Sequence, residues 1–216
     1  DVYLWIITDK IRNKYIELVK KRPSVPEFNS WKNSMQYMRG VLSDSEIPNN
    51  TGIAIEYNIP PTGCRIDFMM SGYNKDKSNV VIIELKQWEK VEKIDDEMLH
   101  SVKAFTGGAN RMVSHPSYQA YSYAVFIRNS SEQVQDEDIS IIPCAYLHNY
   151  DEKYLSELDD EIYKDWYNEA PFFIKNQVMD LRNFIKKFIT RRSSDGDLLY
   201  KIDNGRIRPS KALQDC

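Results

Sequence analysis

The chain has 216 residues, 42% hydrophobic, 12% aromatic and 28% charged, with a formal net charge of −3, which provides for one substantial core and argues against disorder. No apolar run approaches a membrane span and no secretory leader opens the chain; three cysteines, Cys64, Cys144 and Cys216, have no short paired spacing, so neither a disulfide framework nor a zinc site is expected. A soluble, cytoplasmic protein is the expectation, and the acidic balance gives no global case for nucleic acid, although charge can still gather in local patches.

In chain order, residues 2–22 place Leu4, Ile7, Ile11, Tyr15 and Val19 at helical spacing, with cations in the last turns, where the helix dipole favours them. "RPSVP" breaks this helix, and a second is predicted from about Glu27 to Leu42, with Trp31, Met35, Met38 and Leu42 on one stripe. "IAIEYNI" (53–59), "RIDFMMS" (65–71) and "NVVIIELK" (79–86) read as three strands, joined by connections short enough for an antiparallel meander.

The polar stretch 87–114, which contains glycines, reads as a mobile loop over a cleft. "HPSYQAYSYAVFIRN" follows as a helix, with His115 as its cap and Pro116 in its first turn. "ISIIPCAYLHNY" is a further strand ending by Leu147, and the remainder reads as mainly helical. The order implies an α/β fold: a mixed central sheet flanked by helices, in one domain over residues 1–205. Both ends look cut: the chain opens without Met, and residues 206–216 read as the start of a linker to a further domain.

Charges inside the strands carry the chemical information. "VVIIEL" is almost continuously apolar, as in a strand buried on both faces, and an ionised carboxylate there costs several kcal/mol unless a cation or hydrogen bonds compensate. Alternation puts Arg65, Asp67 and Met69 on one face of their strand and Ile66, Phe68 and Met70 on the other, while Glu84 and Lys86 share a face of the next. Two strands that each deliver a carboxylate to one place call for a divalent cation, Mg²⁺ or Mn²⁺, which leaves positions for a phosphate oxygen and a water. A lysine beside that site orients or deprotonates the water, or neutralises charge developing at phosphorus. The plainer alternative pairs Asp67 with Arg65 and Glu84 with Lys86 as ordinary salt bridges.

Glu56, on the strand beside that of Asp67, is either a third acidic ligand or a partner of Arg65, and Arg65 is itself a candidate supporting or nucleic-acid-contacting cation. Glu27 competes for the third ligand position, although a first-turn acid also suits the helix dipole. Gln119 and Tyr123 lie four apart on the predicted helix and so share a face; they either support a polar site or belong to an ordinary amphipathic helix.

Asp67, then Glu84-Leu85-Lys86, then Gln119-Ala120-Tyr121-Ser122-Tyr123 resembles the PD-(D/E)xK nuclease superfamily, in its RecB-like branch with a trailing Q-h-x-x-Y helix motif. "SWKNSM", "IEYNIP", "RIDF", "IELKQWEK", "HPSYQAYSYA", "PCAYLHNY" and "IRPSKAL" further resemble the N-terminal region of bacterial proteins in which such a domain precedes a P-loop helicase. The likeness spans residues 27–213 and departs from the superfamily's name at Ile66, where a proline would stand. It implies a restriction-endonuclease-like fold and a Mg²⁺- or Mn²⁺-dependent deoxyribonuclease. Asp67 and Glu84 would bind the metal with Glu56 or Glu27 as a third acid, Lys86 would be catalytic, and Gln119 and Tyr123 would support the site or contact DNA. It also implies a covalently linked helicase, as in DNA processing or anti-phage defence. The alternative is a nucleic-acid-binding or regulatory module with the same fold and little chemistry.

Overall fold

The computed structural model describes residues 2–59, 62–94, 100–191 and 198–207. Helices α1 (Val2–Val19) and α2 (Val25–Leu42) come first, then strands β1 (Gly52–Ile59), β2 (Cys64–Asn74) and β3 (Lys77–Lys86). β4 (Val91–Lys93), β5 (Ser101–Thr106) and β6 (Ala109–Ser114) precede α3 (Pro116–Ser130) and the short α4 (Glu132–Asp136). β7 (Ser140–Leu147), two 3₁₀ turns at Glu152–Glu157 and Glu161–Tyr163, α5 (Lys164–Glu169), β8 (Phe172–Ile174), α6 (Val178–Phe188) and α7 (Leu198–Asn204) complete the described chain.

Five strands form the central sheet in the order β1-β2-β3-β7-β8. β1, β2 and β3 are the antiparallel meander expected, whereas β3 pairs parallel with β7, and β7 parallel with β8. A parallel pair needs a crossover, and α3 supplies one between β3 and β7. β3 is the third of the five strands, and its residues Asn79 to Leu85 are all buried, as its apolar run required.

Each face of the sheet carries a helical layer. On one face, Met35, Met38 and Val41 of α2 and Leu181 and Ile185 of α6 pack on Phe68, Met70, Val81, Ile83 and Leu85. On the other, Ala124 and Ile127 of α3 and Leu198, Leu199 and Ile202 of α7 cover Ile66, Met69, Val80 and Ile82. Burying one such side chain stabilises by roughly 1.5–3 kcal/mol, so a three-layer stack with both faces covered is favoured. α2 starts two residues earlier than its apolar stripe indicated, because Ser24 Oγ accepts from the Glu27 N–H at 3.3 Å and Pro26 suits the first turn.

Three sequence expectations are corrected. Ile66 packs with Met69 rather than with Phe68, so strict alternation fails around Asp67. The cause lies opposite, where Glu56 has φ +55° and turns β1 over between Ile55 and Tyr57. Residues 87–114 are not a loop: apart from 95–99, outside the described residues, they contain the antiparallel sheet β4-β5-β6. Val91, Val102 and Ala104 anchor it on Leu147, Tyr150, Leu158 and Tyr163, and Gly107 and Gly108, both at positive φ, close the two-residue hairpin. "FFI" in the C-terminal part is the edge strand β8 rather than helix.

Residues 208–216, which hold most of the expected linker and of "IRPSKAL", lie outside the described residues; just before them, the Glu132 N–H donates to the Arg206 carbonyl at 3.0 Å. Cys64 is exposed, Cys144 is buried, and both are free. Among the described residues, no helix is long and apolar enough to cross a membrane.

Candidate functional site

Glu56, Asp67 and Glu84 sit on three neighbouring strands at corresponding positions. In β1–β2 the pairs Ile55–Phe68 and Tyr57–Ile66 bracket Glu56 and Asp67, and β2–β3 pairing ends at Phe68–Ile83, one step before Asp67 and Glu84. β3 stays paired with β7 as far as Lys86–Leu147, so β2 parts from β3 at the acidic row. Asp67 Oδ2 fills the gap by accepting the Leu85 N–H at 2.9 Å. The strands thus bring the acidic candidates together at the point where the ladder opens.

Glu84 is 2% exposed at the end of the buried run. Its Oε1 accepts from Lys86 Nζ at 2.6 Å, whereas Oε2 is buried with no hydrogen-bond partner. Burial, then the neighbouring Asp67 carboxylate, push the Glu84 pKa upward against the pull of Lys86. Two neighbouring carboxylates offer acceptors and no donor to each other, so a shared proton or a cation between them would relieve their repulsion. For Lys86, burial opposes its charge, but the Glu84 and Asp67 carboxylates outweigh this and raise its pKa, holding it as an ammonium.

Gln119 and Tyr123 join the site, as their shared helix face predicts. Lys86 Nζ donates to Gln119 Oε1 at 2.9 Å, and Gln119 Nε2 donates to the Tyr123 hydroxyl at 2.9 Å. α3 is aimed by its first residues: His115 Nδ1 accepts the Ser117 N–H at 3.2 Å, as the cap reading required, and its Nε2 lies 3.1 Å from the Leu158 carbonyl oxygen. The Gln119 N–H donates to the His115 carbonyl at 3.0 Å, one turn from that anchor.

Arg65 does not pair with Asp67. Its guanidinium makes an ion pair with Glu56, without the alignment of a hydrogen bond to the buried Oε2, lies 3.6 Å from Glu27, and stands 5.9 Å from the Trp31 ring centre. Burial first, then Asp67, raise Glu56 to about 8, with Arg65 pulling the other way. The two readings of Glu56 therefore meet at one residue, which is both flanked by Asp67 and held by Arg65. Glu27 reaches the same cluster from the first turn of α2.

Among the described residues, no group of three or more His, Cys, Asp and Glu side chains is arranged to hold a metal as it stands. The carboxylates are engaged by protein groups: Lys86 donates to Glu84 Oε1, the Leu85 N–H donates to Asp67 Oδ2, and Arg65 pairs with Glu56. The partnerless, buried Glu84 Oε2 beside Asp67 nevertheless suits a divalent cation, whose charge would remove the repulsion. A separate hollow of about 490 Å³ beside Glu89, Asp151 and Glu152 holds none of these residues. The sequence marks His115 as the cap of α3 but gives no sign of its second anchor, the distant Leu158 carbonyl.

The chain matches no family model, no curated protein and no solved structure.

Proposed function

We propose that the chain is a restriction-endonuclease-like nuclease domain of the PD-(D/E)xK type that hydrolyses DNA phosphodiesters with Mg²⁺ or Mn²⁺, within a larger nuclease–helicase protein. The observation that carries this reading is the convergence of Asp67, Glu84 and Lys86 where β2 and β3 part, with Lys86 held from α3 by Gln119. The antiparallel meander, the α3 crossover and the parallel β7 support the fold assignment.

Asp67 and Glu84 would hold the cation, with Glu56 as the nearest further acid. The ion supplies charge neutralisation and Lewis-acid polarisation of a phosphate oxygen when bound. Lys86, kept protonated and aimed by two acceptors, stabilises negative charge building on the phosphate and can donate a hydrogen bond to it. Of the roles open to this lysine, its raised pKa favours the electrostatic one over proton abstraction. Gln119 and Tyr123 fix the ammonium in place rather than reacting themselves.

The test is incubation of the protein with single- and double-stranded DNA and Mn²⁺. The expected result is cleavage lost in Asp67→Ala and Lys86→Ala; cleavage that persists in either overturns the mechanism.

A second reading, a binding or regulatory module without chemistry, is favoured by one observation, that protein donors and cations already engage the acidic row. Calorimetric titration separates the two. A binding module takes up no Mn²⁺ and binds DNA equally well with a chelator present; the nuclease takes up Mn²⁺ and loses it in Asp67→Asn.

A further inference from the structure

Charge is strongly segregated along this chain. Residues 2–42, which make up α1, α2 and their connection, contain eight lysines and arginines against three acids, a net +5 in a chain whose total is −3. The rest of the chain therefore carries −8. Two of the cations are spent locally, Arg12 on Asp9 and Lys14 on Glu17. Lys10, Lys20, Lys21, Arg22 and Lys32 are exposed and have no acidic partner among the described residues.

Their placement forms a surface and not only a composition. A hollow of about 430 Å³ lies between the two helices, lined by Arg12, Asn13, Arg22, Val25 and Phe28. The Arg12 guanidinium stands 5.7 Å from the Phe28 ring centre, and Val25 is 73% exposed at the rim. Just after α1, Lys20 has φ +59°, a left-handed conformation unfavourable for a lysine, which turns the chain into the Lys21–Arg22 connection. Further along the same helix pair a second hollow, of about 80 Å³, is lined by Lys14, Tyr15, Trp31, Glu56 and Arg65. Lys14 and Arg65 there are already paired, with Glu17 and with Glu56 and Glu27, so the unpaired cations gather at the α1–α2 connection, and the helix pair leads from it to the edge of the acidic row.

We infer that the α1–α2 pair is the face on which the phosphate backbone of DNA lies, with Lys20, Lys21 and Arg22 as its outer contacts and the strand led past Arg65 toward Asp67. This builds on the nuclease reading by naming the surface that presents the substrate. A polyanion is attracted to the +5 segment and repelled by the −8 remainder, so the charge pattern orients it as well as binding it. Such contacts read phosphate, not sequence.

The experiment is fluorescence anisotropy of a labelled DNA oligonucleotide with the full chain in EDTA, over a series of NaCl concentrations. The triple variant K20Q/K21Q/R22Q should make the log affinity against log salt slope shallower by about two to three, and weaken binding at about 0.1 M salt at least tenfold. A control variant, K103Q/K153Q/K201Q, removes three cations that pair with acids on the remainder and should leave the slope unchanged. Equal losses in both variants, an unchanged slope in the first, tighter binding of RNA than of DNA, or no salt-dependent binding by the wild type each overturn the inference. Mn²⁺-dependent cleavage with an unchanged slope sinks this surface and leaves the nuclease reading standing. A shallower slope with no cleavage does the reverse.

Discussion

Lys86 on β3 and Gln119 on α3, 33 residues apart in sequence, meet through a 2.9 Å hydrogen bond that ties the crossover helix to the central strand at the acidic row. Lys86 thereby has one carboxylate and one amide acceptor, and Gln119 can accept from it because its own amide N–H is committed to Tyr123. The helix sets the direction of the ammonium, while the strand sets its charge.

Gln119→Leu removes one acceptor from Lys86 and leaves the Tyr123 hydroxyl without its donor. Stability should fall by about 1 kcal/mol and cleavage by about ten- to a hundredfold. Tyr123→Phe should cost less, since Gln119 still accepts from Lys86. If Gln119 acts through Lys86, the stability losses of Gln119→Leu and Lys86→Ala should be less than additive in a double-mutant cycle read by denaturant titration. Additive losses would show that Gln119 works independently.

Asp67→Asn should separate stability from activity. The amide oxygen still accepts the Leu85 N–H, while a charge that repels both Glu56 and Glu84 disappears. In EDTA the variant should be more stable by about 1 kcal/mol, yet inactive with Mn²⁺. The pH dependence follows from Glu56, raised from 4.5 to about 8. The fold keeps that proton longer than the unfolded chain does, so stability is fully present below about 4.5 and is lost as pH rises through about 8. Relief from Asp67→Asn should therefore be greater at about pH 8.5 than at about pH 6, by denaturant titration; a variant less stable than wild type at both sinks the idea. Added Mn²⁺ should raise the melting temperature of the wild type and not that of Asp67→Asn.

The core of the sheet was legible because its cues are local. "VVIIEL" is apolar except for Glu84, the short meander connections left little choice but antiparallel pairing, and Gln119 and Tyr123 need only helical spacing to share a face. What was hidden depends on distant partners or on single backbone angles. Alternation failed at Ile66 because of one φ at Glu56, a residue whose sequence gives no sign of it. β5 and β6 look polar because Lys103, Asn110 and Arg111 interrupt their apolar residues, and the exposed Phe105 and Met112 break the buried-face pattern that marks a strand. β8 has only three residues, too few for a period to register, and takes its strand character from β7.

His115 should set part of the acid limb of stability. Burial against the Tyr163 and Phe172 rings pulls its pKa from 6.5 to about 4, partly offset by the Leu158 carbonyl. A proton on Nδ1 would also face the Ser117 N–H that caps α3. The unfolded chain takes the proton first, so this stability is whole above about pH 6.5, falls as pH drops toward 4, and is constant below. The swing should be on the order of 3 kcal/mol, since each pKa unit is worth about 1.4 kcal/mol. His148, lowered to about 4 by burial, adds to the same limb. His115→Asn keeps a capping acceptor and cannot titrate, so its stability relative to wild type should improve by that amount between about pH 7 and pH 4. A constant difference across the range would remove His115 from the account.

Two glycines should respond to alanine with opposite signs. A Cβ on Gly72 would meet the Arg191 carbonyl oxygen and Ile189 Cγ2, both at 2.8 Å. The backbone there cannot yield easily, because the Tyr73 N–H donates to that same carbonyl at 2.8 Å and the Thr190 N–H donates to the Tyr73 carbonyl at 2.8 Å. Gly72→Ala should therefore cost about 2 kcal/mol by peeling residues 189–191 from β2. Gly40 lies inside α2 with nothing within 4 Å of the added carbon, so Gly40→Ala should stabilise by about 0.5–1 kcal/mol through the lost freedom of the unfolded chain. Denaturant midpoints of the two variants measure both effects, and a Gly72→Ala protein as stable as wild type would mean that the strap of residues 189–191 does not hold β2 as tightly as these distances require.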